Sequence, residues 1–125
     1  MQGTVPSRRS KAGNYYLWSW LFLRVSGVLI IFLVLTHLAI MHVFTPIQNI
    51  DFDFVAGRWS IPAWRWFDLG LLFLAFIHGL VGFRVVMDDY VHSRAWRLTV
   101  RVLLVTAGFV FLVVGTEAIL SFQAG

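Results

Sequence analysis

Residues 64–90 read WRWFDLGLLFLAFIHGLVGFRVVMDDY, and this stretch decides the fold class of the chain. Its apolar part, from Trp64 to Met87, exceeds the roughly 20 residues that an α-helix needs to cross the hydrocarbon layer of a bilayer. Two further apolar runs of this kind are present. The sequence therefore predicts an all-α membrane protein of one domain, residues 1–125, with transmembrane helices at about 17–44, 64–87 and 95–122.

The composition requires lipid as the main solvent. Of the 125 residues, 59% are hydrophobic and 13% are charged, and the mean hydropathy is +0.80. A soluble domain of this size could not bury so much apolar surface. The first run is too long for a cleavable signal and lacks a small-x-small site after it. The chain contains no cysteine, which excludes disulfides, thiolate-ligated iron–sulfur clusters and covalently attached haem within it.

The net charge of +4 does not indicate nucleic-acid binding, because the basic residues follow the predicted membrane boundaries. These residues are Arg8, Arg9 and Lys11 before the first run, and Arg84, Arg94, Arg97 and Arg101 around the connection between the second and third. Positively charged loops tend to stay on the cytoplasmic side. We therefore expect a cytoplasmic tail over residues 1–14, a cytoplasmic second loop, and an outward-facing first loop and C-terminus.

The connection between the first two runs is long enough to contain a short interfacial helix. Pro46 and Pro62 frame it as signals for the end of one helix and the start of another. Within this connection the charge of Arg58 is set against two carboxylates, Asp51 and Asp53.

His78 lies about ten residues from the predicted inner boundary, or roughly 15 Å along a helix, which places it near the middle of the bilayer. An ionisable side chain there is costly and requires a reason. It either forms a hydrogen bond with a neighbouring helix or acts as an axial ligand of a haem iron. Spacing alone does not decide between these readings. His37, at a similar depth in the first helix, is a weaker alternative ligand.

Asp89 and Tyr90 lie at the inner boundary. They are either an ordinary helix terminus with an interfacial tyrosine, or a phenol that donates to a quinone carbonyl beside a supporting carboxylate. Arg84 and Arg24 are predicted at the same side of the membrane. Each either extends its guanidinium to the interface, as arginines near helix ends commonly do, or contacts an anionic group, such as a partner's or a cofactor propionate. Asp88 adds a carboxylate to which the sequence assigns no role.

Together these residues form the pattern H-x-x-x-G-x-x-x-x-x-x-D-Y, which resembles the D-type membrane anchor of succinate dehydrogenase (respiratory complex II). The resemblance extends over roughly residues 64–122, and FLRVSGVLIIF, residues 22–32, resembles the first helix of complex II anchors. It implies that the three helices pack with a second anchor chain into a helical bundle, in a bacterial plasma membrane or a mitochondrial inner membrane. The residues of the pattern are His78, Gly82, Asp89 and Tyr90.

The resemblance also implies roles for individual residues. His78 matches an axial ligand of haem b, Tyr90 the tyrosine at the headgroup of ubiquinone or menaquinone, and Asp89 its acidic neighbour. Arg24 and Arg84 become weaker candidates for a haem propionate, and Arg24 also for the quinone. The other axial histidine would come from a C-type anchor, and the flavin and iron–sulfur centres from a flavoprotein and an iron–sulfur subunit. The chain would not be catalytic alone.

Residues 24–27 depart from the D-type pattern, because Arg-Val-Ser-Gly resembles the Arg-x-Ser-Gly motif of C-type anchors. Trp20, however, stands where C-type anchors place a quinone-contacting serine, and this favours the D-type. Three alternatives stay open from the sequence. They are a small transporter or channel subunit, a structural anchor without haem, and an anchor of a quinol:fumarate reductase.

Overall fold

The computed structural model of the chain describes residues 11–122, and these residues form a helical architecture with three long apolar helices. Each of the three is long and apolar enough to cross a membrane, so the predicted all-α membrane fold is confirmed. The α-helices of the described part are α1, Lys11–Leu38; α2, Phe52–Trp59; α3, Pro62–Tyr90; and α4, Arg94–Ser121.

The first helix is longer than its apolar run. Of the tail predicted over residues 1–14, residues 11–14 are helical, and residues 1–10 lie outside the described residues. At its other end α1 continues into a wider π-helical turn, Ala39–Val43, and the Phe44 N–H donates to the Ala39 carbonyl at 2.9 Å. Helical hydrogen bonding satisfies the backbone polar groups along the segment, as a lipid environment requires.

The short helix α2 lies in the connection where the sequence predicts one. The Asp51 carboxylate caps its N-terminus by accepting from the Phe54 N–H at 2.9 Å. Pro62 then occupies the first turn of α3, where a residue without an N–H costs no helical hydrogen bond. The two helices therefore follow each other closely, and α2 packs against α3.

Helix α3 is the central element, because it packs against both α1 and α4. Two glycines of α4 permit the close approach of α3. A Cβ added at Gly108 would lie 2.9 Å from Cε1 of Phe76, and one added at Gly115 would lie 3.0 Å from Cδ2 of Leu72. Small residues commonly have this function between membrane helices.

The buried side chains of the described part are few, and polar ones are prominent among them. Most large apolar side chains are exposed, as expected for a surface that faces lipid or a partner chain. Buried polar groups need partners wherever water is excluded, so their contacts locate the organised regions of the bundle. They are Ser26, Arg58 and Asp68.

Candidate functional site

His78 faces α1 and is held through one of its two ring nitrogens. Its Nδ1 lies 2.8 Å from Oγ of Ser26, a residue with only 2% exposure. No hydrogen bond to Nε2 of His78 is found in the part of the chain that the structure describes. The hydrogen bond to a neighbouring helix, one of the two readings of this histidine, is therefore present, and the second nitrogen is left for other chemistry.

The neighbourhood of His78 on α3 contains two glycines with different surroundings. The side chain is half-buried, and a Cβ added at the adjacent Gly79 would meet nothing within 4 Å. A Cβ at Gly82 would instead meet Leu23 of α1 at 3.6 Å. The space at Gly79 opens toward Leu104 of α4 and not toward the His78 ring, whereas Gly82 is a position of contact between α3 and α1.

Tyr90 and Asp89 lie in the last turn of α3 and are exposed, Tyr90 to 79%. Tyr90 follows His78 by twelve residues, which corresponds to roughly 18 Å along the helix axis. Within residues 11–122, neither the phenol nor the Asp89 carboxylate has a hydrogen-bond partner. The helix presents this pair at the end of the bundle, and residues 11–122 do not enclose it.

The two arginines that the sequence suggests for a propionate each lie against an aromatic ring of α1. The Arg24 guanidinium carbon is 4.6 Å from the centre of the Trp20 ring. The Arg84 guanidinium is 4.8 Å from the centre of the Tyr15 ring and also donates to the Tyr15 hydroxyl. Cation–π contacts of this kind stabilise each guanidinium against its aromatic neighbour.

Asp88 is the centre of a cluster of arginines that joins α3 to α4. Its Oδ1 is 3.4 Å from Nη2 of Arg101 and 3.9 Å from Nε of Arg97, and its Oδ2 is 3.9 Å from Nε of Arg84. Arg97 also donates twice to the Val91 carbonyl in the connecting loop, at 2.8 and 3.1 Å. Asp88, to which the sequence assigned no role, thus takes part in the contact between α3 and α4.

At the opposite end of α3 the structure reveals a cluster that the sequence analysis missed. Asp68, 8% exposed, accepts from Arg58 Nη2 at 2.8 Å and from Trp59 Nε1 at 2.7 Å. His37 Nδ1 lies 3.2 Å from the same carboxylate. The carboxylate partner of Arg58 is therefore Asp68, and Asp51 caps a helix instead. The position of Asp68 inside an apolar run could have indicated this cluster, since a charged side chain in a membrane span requires a polar partner.

His37 and Asp68 line an open groove of ≈ 600 Å3 between α1, α3 and α4, to which Trp59 of α2 also contributes. Apolar residues make up most of its remaining wall. Because a carboxylate paired with an arginine only accepts hydrogen bonds, His37 donates to it through Nδ1. His37 and His78 thus share one feature, a hydrogen bond from Nδ1 to a side chain of another helix, a carboxylate for His37 and a serine for His78.

A protein-family model described as succinate dehydrogenase/fumarate reductase transmembrane subunit matches residues 5–121. The matched span contains all the helices of the described part and every candidate residue discussed above. No individual curated protein matches the chain.

Proposed function

The chain belongs to the succinate dehydrogenase/fumarate reductase transmembrane subunit family, and we propose that it is the D-type membrane anchor of a succinate dehydrogenase. As an integral membrane subunit it works together with partner subunits. In this role it helps to hold haem b and forms one wall of the quinone site that receives electrons from succinate. The D-type assignment is supported by Asp89 and Tyr90 at the end of α3 and by Trp20 in α1.

The contact between His78 and Ser26 is the observation that carries the haem part of the proposal. One ring nitrogen is occupied at 2.8 Å, and the other has no partner among the described residues. Bound at this position, haem b would supply one-electron storage within the membrane. A C-type anchor provides the second axial histidine in this proposal. Arg24 and Arg84 are weaker propionate contacts, because each guanidinium already lies against an aromatic ring.

The exposed end of α3 carries the quinone part of the proposal. Tyr90 is in a position to donate its phenolic proton to a quinone carbonyl, with the Asp89 carboxylate beside it. The remaining walls come from the C-type anchor and the iron–sulfur subunit in this proposal, since the described part of this chain leaves both side chains exposed. The flavoprotein subunit oxidises succinate, and the iron–sulfur subunit passes its electrons to ubiquinone or menaquinone.

The proposed orientation places the loop Val91–Ser93 at the cytoplasmic or matrix side, where the soluble subunits bind. Four arginines cluster at this end of the bundle, and positively charged loops favour that side. The N-terminus is then on the same side and the C-terminus on the other. The membrane is a bacterial plasma membrane or a mitochondrial inner membrane.

The haem proposal is tested by the reduced-minus-oxidised visible spectrum of the complex purified through a tag on this chain. We expect a sharp b-type α-band in the wild type, its loss in His78→Ala, and its retention in His37→Ala. His37 is the matched control because its Nδ1 is also bonded to a side chain of another helix. Retention of the α-band in His78→Ala and its loss in His37→Ala would instead make His37, in the groove beside Asp68, the ligand.

Two further outcomes of the same purification would replace the proposal. The soluble subunits without haem would indicate a structural anchor. A colourless protein without partners, but with substrate-dependent proton flux in vesicles, would indicate a transporter or channel subunit. The rates of succinate oxidation and fumarate reduction by the intact complex would separate a dehydrogenase from a fumarate reductase.

A further inference from the structure

We propose that Ser26 is a positioning residue for His78, which it holds as the tautomer with Nδ1 protonated and Nε2 free to bind iron. The inference rests on the proposed function, because it concerns the histidine assigned there as haem ligand. It adds a residue of α1 to a site otherwise attributed to α3.

The direction of the hydrogen bond follows from the contacts of the serine hydroxyl. Ser26 Oγ lies 2.5 Å from the Phe22 carbonyl oxygen and 3.5 Å from that of Leu23. A carbonyl can only accept, and a hydroxyl has a single proton, so this proton goes to Phe22. The lone pairs of Oγ are then left for the third contact, Nδ1 of His78 at 2.8 Å. His78 is therefore the donor.

This direction determines which nitrogen is available to a metal. A neutral imidazole has one N–H, and with that proton on Nδ1 the lone pair is on Nε2. A hydrogen bond at the nitrogen that faces away from a metal fixes the tautomer and the ring orientation, and it increases the basicity of the ligand. Ser26 is 2% exposed, so its Oγ is shielded from competition by water.

The backbone of α1 also favours this ring position. A Cβ added at Gly27 would lie 3.4 Å from Cε1 of His78, so the ring rests closely over the glycine. The helix thus offers a buried acceptor and an adjacent residue without a side chain. Both features follow from the Ser-Gly pair of the FLRVSGVLIIF segment.

The test compares Ser26→Val with Ser26→Thr in the intact complex. The two side chains have nearly the same shape, but only threonine keeps a hydroxyl that can bond back to the Phe22 carbonyl and accept from His78. Three properties are measured: haem per complex, haem midpoint potential, and the low-temperature EPR spectrum of the oxidised haem. These report on the ligand itself and not on turnover.

We expect Ser26→Thr to resemble the wild type. For Ser26→Val we expect haem affinity to fall on the order of 10-fold, as for other residues that support metal ligands. The potential of the haem that remains should rise, because a less basic imidazole stabilises ferric iron less. The smaller variant Ser26→Ala should behave like Ser26→Val, and it provides the comparison if both larger side chains prevent assembly.

Three results would overturn the inference. If the valine, alanine and threonine variants all keep wild-type haem content, potential and EPR spectrum, Ser26 has no influence on the ligand and the haem proposal stands. If valine and threonine change these properties equally while alanine does not, the effect is one of volume. If the wild-type complex has no haem, or keeps it in His78→Ala, the proposed function fails and the inference fails with it.

Discussion

Asp68 of α3 and Arg58 of α2 form a buried ion pair in which Arg58 Nη2 lies 2.8 Å from Asp68 Oδ1. Both residues are less than 10% exposed. Trp59 and His37 complete the shell of the carboxylate, so one acidic side chain connects α1, α2 and α3. Among the described residues, the Arg58–Asp68 contact is the one side-chain hydrogen bond in which both partners are buried, and this leads to the first prediction.

Removing one partner of this pair should be strongly destabilising. In Arg58→Ala the Asp68 carboxylate is left buried without its cation, and we expect a loss of about 3 kcal/mol or more in the free energy of unfolding. Unfolding of the detergent-purified complex would show the loss, together with faster hydrogen exchange in α2. Asp53→Asn, in the exposed first turn of α2, is the control and should change little.

The double variant Arg58→Met/Asp68→Leu distinguishes the contribution of the two charges to stability from that of side-chain packing. Replacing both charges by apolar side chains of similar size is often neutral or stabilising, so most of the lost stability should return. If the double variant is no more stable than Arg58→Ala, the contribution of the ion pair lies in the geometry of its hydrogen bonds to Trp59 and His37.

Asp88 should behave differently although it contacts more arginines. Its side chain is 33% exposed, and its contacts with Arg84, Arg97 and Arg101 measure 3.4 to 3.9 Å. Exposed ion pairs of this kind contribute about 0–1 kcal/mol and weaken with salt. We expect Asp88→Asn to lower stability by less than about 1 kcal/mol, and by less still at high salt. A loss as large as that in Arg58→Ala would contradict this assignment.

The contact between α3 and α4 can be tested at one glycine. In Gly108→Ala the new methyl group would meet Phe76 at 2.9 Å and Leu80 at 3.2 Å. We expect a loss of about 1–3 kcal/mol, the usual cost of overpacking. Gly70→Ala in α3 is the control, because a Cβ there meets nothing within 4 Å, and it should be neutral or slightly stabilising. Thermal unfolding of the two variants side by side gives the answer.

Tyr90→Phe tests the quinone part of the proposed function. It removes the phenolic donor and keeps the ring, so succinate-driven quinone reduction should fall by about 100-fold or more, within the range of general-acid contributions. Succinate oxidation with a soluble dye that accepts electrons upstream should stay unchanged. Tyr16→Phe, at an exposed tyrosine of α1, is the control. Equal quinone rates in both variants would remove Tyr90 from the site.

The three membrane spans could be predicted from the sequence because each depends on the composition of a continuous segment. The short helix α2 and the start of α3 at Pro62 were also predictable, since both depend on local capping and proline signals. The Asp68 cluster was not, because its partners come from positions 37, 58 and 59. Only the packing of α1 and α2 against α3 brings them together.

The residues of the candidate site also differ in whether they could be predicted from one continuous segment. The pattern of His78, Asp89 and Tyr90 is a property of one helix and was readable along the chain. The acceptor of His78, Ser26, lies 52 positions away on α1 and becomes visible only in the folded chain. The role of Asp88 was hidden for a related reason, because two of its three arginines lie on the next helix.

Arg58 neutralises the charge of Asp68 within the same chain, and this has a consequence for how the subunit is assembled. Both members of the pair belong to one polypeptide and are ten positions apart, so the ribosome supplies them almost together. The newly inserted subunit can therefore shield this carboxylate from lipid before any other subunit arrives. The neutralisation of this charge is therefore a property of the chain itself and needs no residue of another subunit.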